Sequence, residues 1–216
     1  MARRSEDLRP PLVSAPDLPG HLDPAPPRRS ADLIAALIEL EGDADLAHSS
    51  LEQCVLTGGA DSLDLRGATL MDVELRDLRV ADLPARTASL RRVRISGGRI
   101  GTLDLTDTRI HELELHGVRI DYLTLSATKA VDVRIDGCRI TALDLPGATL
   151  TRVAFDGTHA DEVDSRGLQA SHVDLRGLDA LSFLDVASLR GTTLTVRQVE
   201  LLAPAFAASA GISVRD

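Results

Sequence analysis

In Leu103-Asp-Leu-Thr-Asp-Thr-Arg-Ile-His-Glu-Leu-Glu-Leu-His-Gly-Val-Arg-Ile-Asp-Tyr122, apolar or small residues recur in pairs two apart. The pairs are Leu103 and Leu105, Thr108 and Ile110, Leu113 and Leu115, Val118 and Ile120. The same rule runs unbroken from Leu63 to Ser182, which is 24 pentads in 120 residues. Read in tens, the third position is Leu63, Val73, Leu83, Val93, Leu103, Leu113, Leu123, Val133, Leu143, Val153, Val163 and Val173. The tenth is equally apolar, the fifth is apolar except at Ser165, and the eighth is small or apolar. Each pentad thus sends two side chains inward and three outward. A chain whose repeat is one short side cannot bury its apolar face alone, so the sides must wind into a solenoid. Such rods bind more often than they catalyse.

The outward charges give the length of one coil. Glu74, Arg94, Glu114 and Arg134 lie between inward pairs and alternate in sign every 20 residues. With a 20-residue coil they stack ~4.8 Å apart as parallel neighbours and attract. A coil of 10 or 15 residues gives the alternation no purpose. Four five-residue sides then enclose a square core, with six full coils and partial ones, in a rod roughly 30–40 Å long.

Composition fits this picture. The chain has no Trp, one Tyr and three Phe, as suits thin, uniform stacked layers. Its net charge of −9 is uneven: residues 1–62 carry −6, residues 63–182 carry −3, and residues 183–216 are neutral. Two cysteines, Cys54 and Cys138, make no disulfide framework, which favours a reducing compartment. No apolar run approaches the ~20 residues of a membrane span. Met1-Ala-Arg-Arg-Ser has no apolar stretch behind it, so no signal peptide is expected and the protein is assigned to the cytoplasm.

The ends differ from the rod. Residues 1–29 hold seven of the ten prolines and two Arg-Arg pairs, and are expected to be a disordered or loosely draped leader. Over 30–43, Leu33, Ile34, Leu37 and Ile38 after Ser30 predict a short amphipathic helix ending at Gly42 and capping the first coil. The repeat region is 44–196, with a register slip over Gly59–Ser62 and a second at Phe183–Val186. In 197–216, Thr195 and Gln198 form a capping box for a final helix of about 14 residues. Pro204 is expected to interrupt that helix and Gly211 to stop it.

Ala44-Asp-Leu-Ala-His and Ala187-Ser-Leu-Arg-Gly match the A-(D/N)-L-x-x unit, and Leu103-Asp-Leu-Thr-Asp and Leu143-Asp-Leu-Pro-Gly are looser copies. On these motifs the chain resembles the pentapeptide-repeat proteins. The resemblance implies an all-β solenoid, a right-handed quadrilateral parallel β-helix, here with capping helices at both ends. Leu or Val stands at half of the first inward sites where that family prefers Ala, and Phe155 is the one Phe at a second inward site. Leucine-rich repeats need an Asn or Cys ladder, and this chain contains no Asn. Period-six acyltransferases and calcium-binding nonapeptide repeats lack their motifs here.

The chemistry of the outward sites points to binding rather than catalysis. His111 and His116 are neighbours, but no carboxylate or Cys cluster accompanies them, so no metal, cofactor or catalytic residue is assigned. Glycines 67, 97, 117, 137, 147, 157, 167 and 177 end pentads and are read as corners. Two charge columns stand out as interaction faces: Asp64, Asp104, Asp144 and Asp164, and Arg79, Arg99, Arg119 and Arg139. Asp82, Asp121, Asp161 and Glu162 are the acids able to offset the arginines.

The expected function is a non-catalytic, rigid protein-interaction scaffold with a protein partner and no direct nucleic-acid or membrane binding. The alternative comes from the resemblance: a DNA-mimicking protein that binds gyrase, a type II topoisomerase, and confers resistance to quinolones or other topoisomerase poisons. A coil charge of −3 and the arginine column speak against the mimic. In the final helix Val199, Leu202 and Phe206 line one side while Leu201, Ala205 and Ala208 line another. Two apolar sides ask for two contacts, one with the rod end and one with a second subunit in a homodimer.

Overall fold

From Gly59 the coils set residue n beside residue n+20, until the last pairing shortens to 19 at Val173 and Thr192. Arg79 faces Arg99, Leu83 faces Leu103, Glu74 faces Arg94 and Leu113 faces Val133, all in parallel pairing. The computed structural model describes residues 7–215. It is a parallel β-solenoid of about eight coils closed by a single C-terminal helix, α1 (Val196–Ser209). Four sides make one coil. Face 1 is centred on the column of residue 64, face 2 on 69, face 3 on 74 and face 4 on 79.

The inward pairs fill the core as their spacing demands. Leu63, Leu65, Leu103, Leu115, Ile120, Ile140 and Leu143 are all buried, and each such side chain contributes about 1.5–3 kcal/mol. Ser165, the exception in its column, is buried as well. Its hydroxyl donates to the Leu184 carbonyl at 2.7 Å, so it carries no unmet polar cost. Cys54 and Cys138 are free and buried, and burial pushes both thiols up.

Three of the four corners turn on a left-handed residue. The corner after face 2 uses Asp72, Arg92, Glu112, Asp132, Arg152 and His172, with φ of 50–66°. The corner after face 3 relies on Gly97, Gly117 and Gly137, where glycine enters this region without the Cβ penalty. The remaining corner, after face 4, needs no left-handed residue, and strands such as Thr69–Pro84 run through it.

The N-terminal end departs from the sequence expectation. Residues 30–43 are strand, not helix: Asp32–Ile34 pairs with Ser50–Glu52, and Ala36–Glu41 pairs with Val55–Gly59. Left-handed backbone at Ser30 and Ala35 turns corners that a helix could not contain. The alternation Ala36, Ile38, Leu40 is buried while Ile34 stands exposed, so period two wins over the apparent helical spacing. The solenoid therefore begins well before residue 44, which gives about eight coils rather than six full ones. Early coils are shorter: Asp32 faces Ser50, Ser50 faces Thr69, and the register shifts between Thr57 and Gly59 to reach the 20-residue spacing.

The first edge is covered by the leader. Asp23–Pro24 pairs with Ala36 and Leu37, and Ala25 donates to the Leu37 carbonyl at 2.9 Å. Pro24, Pro26 and Pro27 donate no N–H, so this outermost strand offers a poor template for another chain. At the other end the Thr195–Gln198 capping box is present. α1 continues through Pro204 instead of breaking there. Proline forfeits only the bond to the Glu200 carbonyl, and Glu200 is exposed, so water serves that acceptor.

Candidate interaction faces

Face 1 carries the aspartate column, and its carboxylates are occupied by the fold. Asp64 and Asp164 each accept the backbone N–H two residues on, from Arg66 and Arg166, and bind the guanidinium of that same arginine. Asp104 accepts the Thr106 N–H and pairs with Arg86 from the preceding coil. Asp144 takes the Tyr122 hydroxyl, which pushes that phenol up to about 12. The side chains of Asp64, Asp104 and Asp164 are 13%, 9% and 6% exposed. The Asp of the repeat unit is thus a corner cap: it satisfies the first N–H of the turn that follows.

Face 3 alternates as its sequence suggests. Arg94 lies between Glu74 and Glu114 and donates to Glu114 at 2.7 Å, while Glu74 takes Arg76 at 2.6 Å.

Face 4 is different. Arg79, Arg99, Arg119 and Arg139 stand on consecutive rungs, followed by His159 and Asp179. Asp121 receives Arg99 at 2.8 Å and lies 3.9 Å from Arg119. Asp161 holds His159 at 3.0 Å rather than an arginine. Among the described residues Asp82 and Glu162 bridge none of the four, and Arg79 and Arg139 make no ion pair. Beside Arg79 and Arg99 lies an open depression of about 690 Å³, floored by Ala60, Ala81, Gly98 and Gly101. No other column stacks more than two cations in register.

The leader forms a fourth feature that the sequence reading missed. Residues 8–18 lie along the corner after face 2 and run opposite to the advance of the coils. Backbone N–H groups of Arg9, Leu12, Ser14 and Asp17 donate to His172, Asp132, Glu112 and Asp72 at 2.9–3.3 Å. Gln53, on the same corner, donates to the Asp17 carbonyl at 2.9 Å. Arg92 and Arg152 fill the intervening rungs and hold Asp72 and Asp132 through paired bonds of 2.6–2.7 Å. Each donor directly follows a residue turned toward the rod: Leu8, Pro11, Val13 and Pro16. The signal was legible as five-residue spacing within the leader itself, Leu8–Val13–Leu18 and Pro11–Pro16.

These carboxylates tie stability to acidity. Arg92 and the Asp17 N–H hold Asp72 below its ordinary value of 3.8, and Arg152 and the Leu12 N–H do the same for Asp132. Arg66 and Arg166 lower Asp64 and Asp164. Groups depressed in the folded state stabilise it fully above their unfolded value and lose that contribution as pH falls through the folded one. Thermal midpoints should therefore drop as pH falls below the ordinary value of 3.8. An Asp72→Asn, Asp132→Asn variant should melt lower at neutral pH and show a shallower acid decline. An unchanged acid profile would mean these pairs carry no stability.

His111 lies 3.5 Å from Glu112 and His116 lies 2.9 Å from Asp136, and the described residues hold no cluster of three or more His, Cys, Asp or Glu able to bind a metal. In α1, Leu202 and Phe206 pack on the rod end, whereas Val199 is 45% and Leu201 71% exposed, and Ala205 is exposed too.

Five-residue sides, four to a coil and in register through the middle of the rod, decide the class. The fold is a pentapeptide-repeat β-solenoid. No protein-family model and no curated protein matches this sequence. Among solved structures, the solenoid is similar to trypsin-treated QnrB1, a plasmid-mediated fluoroquinolone resistance protein. That pair has 16% identity and a TM-score of 0.39, covering 91% of this chain and 99% of the other. It is also similar to HetL, a pentapeptide repeat protein involved in heterocyst differentiation regulation from the cyanobacterium Nostoc sp. strain PCC 7120. There the identity is 18% and the TM-score 0.32, over 76% of this chain and 86% of the other. No helix of the described residues is long and apolar enough to cross a membrane.

Proposed function

We propose that this protein is a non-catalytic scaffold of the cytoplasm whose working surface is the arginine column of face 4, and that its partner presents an acidic protein surface. The observation that supports this reading is the charge balance among columns. Carboxylates of face 1 are tied to neighbouring arginines and backbone N–H groups, and face 3 alternates in sign. Only face 4 stacks four like charges on a single bridging carboxylate, Asp121. Guanidinia at ~4.8 Å repel by about 1 kcal/mol per pair even in water, and an anionic partner relieves that.

A Glu-rich peptide serves as the probe. It should bind the rod with an affinity that falls as salt screens the column, and changing Arg79, Arg99, Arg119 and Arg139 to Gln should abolish binding. Changing the self-paired Arg66, Arg166 and Arg176 to Gln should leave it. Equal loss in both sets would sink the assignment to face 4.

The duplex-mimic reading rests on Asp64, Asp104, Asp144 and Asp164, and the pairing of these side chains lends it little. The purified protein should leave gyrase supercoiling nearly unchanged. Submicromolar inhibition, lost when these four become Asn, would reverse the order of the two readings.

The exposed side of α1 is assigned to a second copy of this chain, because Leu201 and Ala205 offer an apolar strip that the rod end does not use. Light scattering should report a dimer that Leu201→Glu with Ala205→Glu converts to monomer. A monomeric intact protein at high micromolar concentration would leave α1 as a cap alone.

A further inference from the structure

We propose that the corner ladder of Asp72, Glu112, Asp132 and His172 is a docking edge for an extended, proline-spaced chain. Residues 8–18 are its resident occupant, which a segment of the same chemistry on a partner protein displaces. The ladder reads an unusual pattern: an inward residue followed by a free backbone N–H, at steps of three and two residues along the guest. Leu8-Arg9, Pro11-Leu12, Val13-Ser14 and Pro16-Asp17 supply it. Pro10, Pro11 and Pro16 stiffen the chain in extended form and sit where no N–H is called for.

Three features mark the guest as exchangeable. Its acceptors are side chains, not a sheet edge, so every strand beneath stays fully paired when it leaves. Asp72 and Asp132 keep Arg92 and Arg152, so the vacated ladder holds no orphaned carboxylate at those rungs. Finally, Pro11 alone of residues 8–18 is fully buried, while Arg9, Leu12, Ser14 and Asp17 are exposed. Few buried contacts place a segment at the low end of local stability. Leu8 lies against an open trough of about 750 Å³ lined also by Thr151, Ser171, His172 and Thr192, at the end of the track. The partner is bound through its main chain, with prolines setting the phase, as in other recognition of preformed extended helices.

The test removes hydrogens and little else. In the full chain, Leu12→Pro, Ser14→Pro and Asp17→Pro together delete three donors while keeping the backbone extended. A fluorescent peptide of residues 7–19 should bind this variant saturably. It should not bind the wild type, whose tethered leader outcompetes it. The same peptide with the three prolines should not bind either protein. Hydrogen exchange on the wild type should show the Leu12, Ser14 and Asp17 amides slowed relative to the free peptide. The proposal is overturned by free-peptide exchange rates at those amides, or by equal binding of both peptides. It is also overturned if a folded variant binds nothing, or if the variant loses its β signal, since the leader would then be part of the fold.

Discussion

Leu115→Asp should abolish folding. Leu115 is buried in a middle coil between Ile95 and Ile135 of the neighbouring rungs, with no polar group among them to meet a carboxylate. Burying an unpaired charge costs several kcal/mol after relaxation, and loss of the leucine adds about 2–5 kcal/mol. Together these reach the margin of about 5–15 kcal/mol typical of a whole domain. Far-UV circular dichroism should show no cooperative β transition, whereas Glu114→Gln, one residue away and outward, should melt near the wild type. A cooperatively folded Leu115→Asp protein would overturn the inward register of face 3.

The second large effect belongs to the far end. Gln198 does more than close the capping box: its amide also donates to the Leu175 and Leu178 carbonyls of the last coil at 2.8 and 2.9 Å. One side chain thereby starts the helix and pins it to the rod. Gln198→Ala removes the half of the capping box that accepts the Thr195 N–H and takes one donor from each of two carbonyls, of which Leu175 keeps the Leu178 N–H, at a cost of about 1 kcal/mol per lost bond. α1 should peel away, exposing Leu202, Phe206 and the open coil beneath. Hydrogen exchange should lose its protection across Val196–Ser209 while the middle coils stay protected. Retained protection in α1 would show that apolar packing alone docks it.

The middle of the rod was legible because its inward sites are redundant. Twelve successive residues in the third position agree on one period, and no single substitution can hide it. The ends were harder for a physical reason. Over 30–43 the inward sites are few, Leu33, Ala36, Ile38 and Leu40, and Leu33, Ile34, Leu37 and Ile38 satisfy a helical stripe as well as a strand. Left-handed backbone at Ser30 and Ala35 decides between them, and neither residue type announces it. The arginine column was readable, since register alone places Arg79 beside Arg99. Its pairing was not: which carboxylate reaches which guanidinium depends on rotamers at the corners, and Asp121 rather than Asp82 or Glu162 makes the bridge. For the aspartates the reading captured the column and missed its duty. An Asp followed two residues later by a corner N–H is held by the turn before it can face a partner. The leader's track along the corner was missed because its period belongs to the rod on which it is draped, not to any structure of its own.

That last match has a consequence for how such a molecule can change length. Leu12 meets Asp132 and Asp17 meets Asp72, so five residues of leader span sixty of rod, which is three coils. The two chains are graduated like the scales of a vernier. A coil advances the ladder by ~4.8 Å and a leader residue by about 3 Å, so a coil duplicated under the leader changes which side chain each donor beyond it meets. Three coils matched by five leader residues restore coincidence, as do two coils matched by three, the step from Arg9 at His172 to Leu12 at Asp132. Growth of the rod is therefore coupled to its passenger, and a copy that gained one coil would set donors opposite rungs such as those of Arg92 and Arg152, which offer no carboxylate.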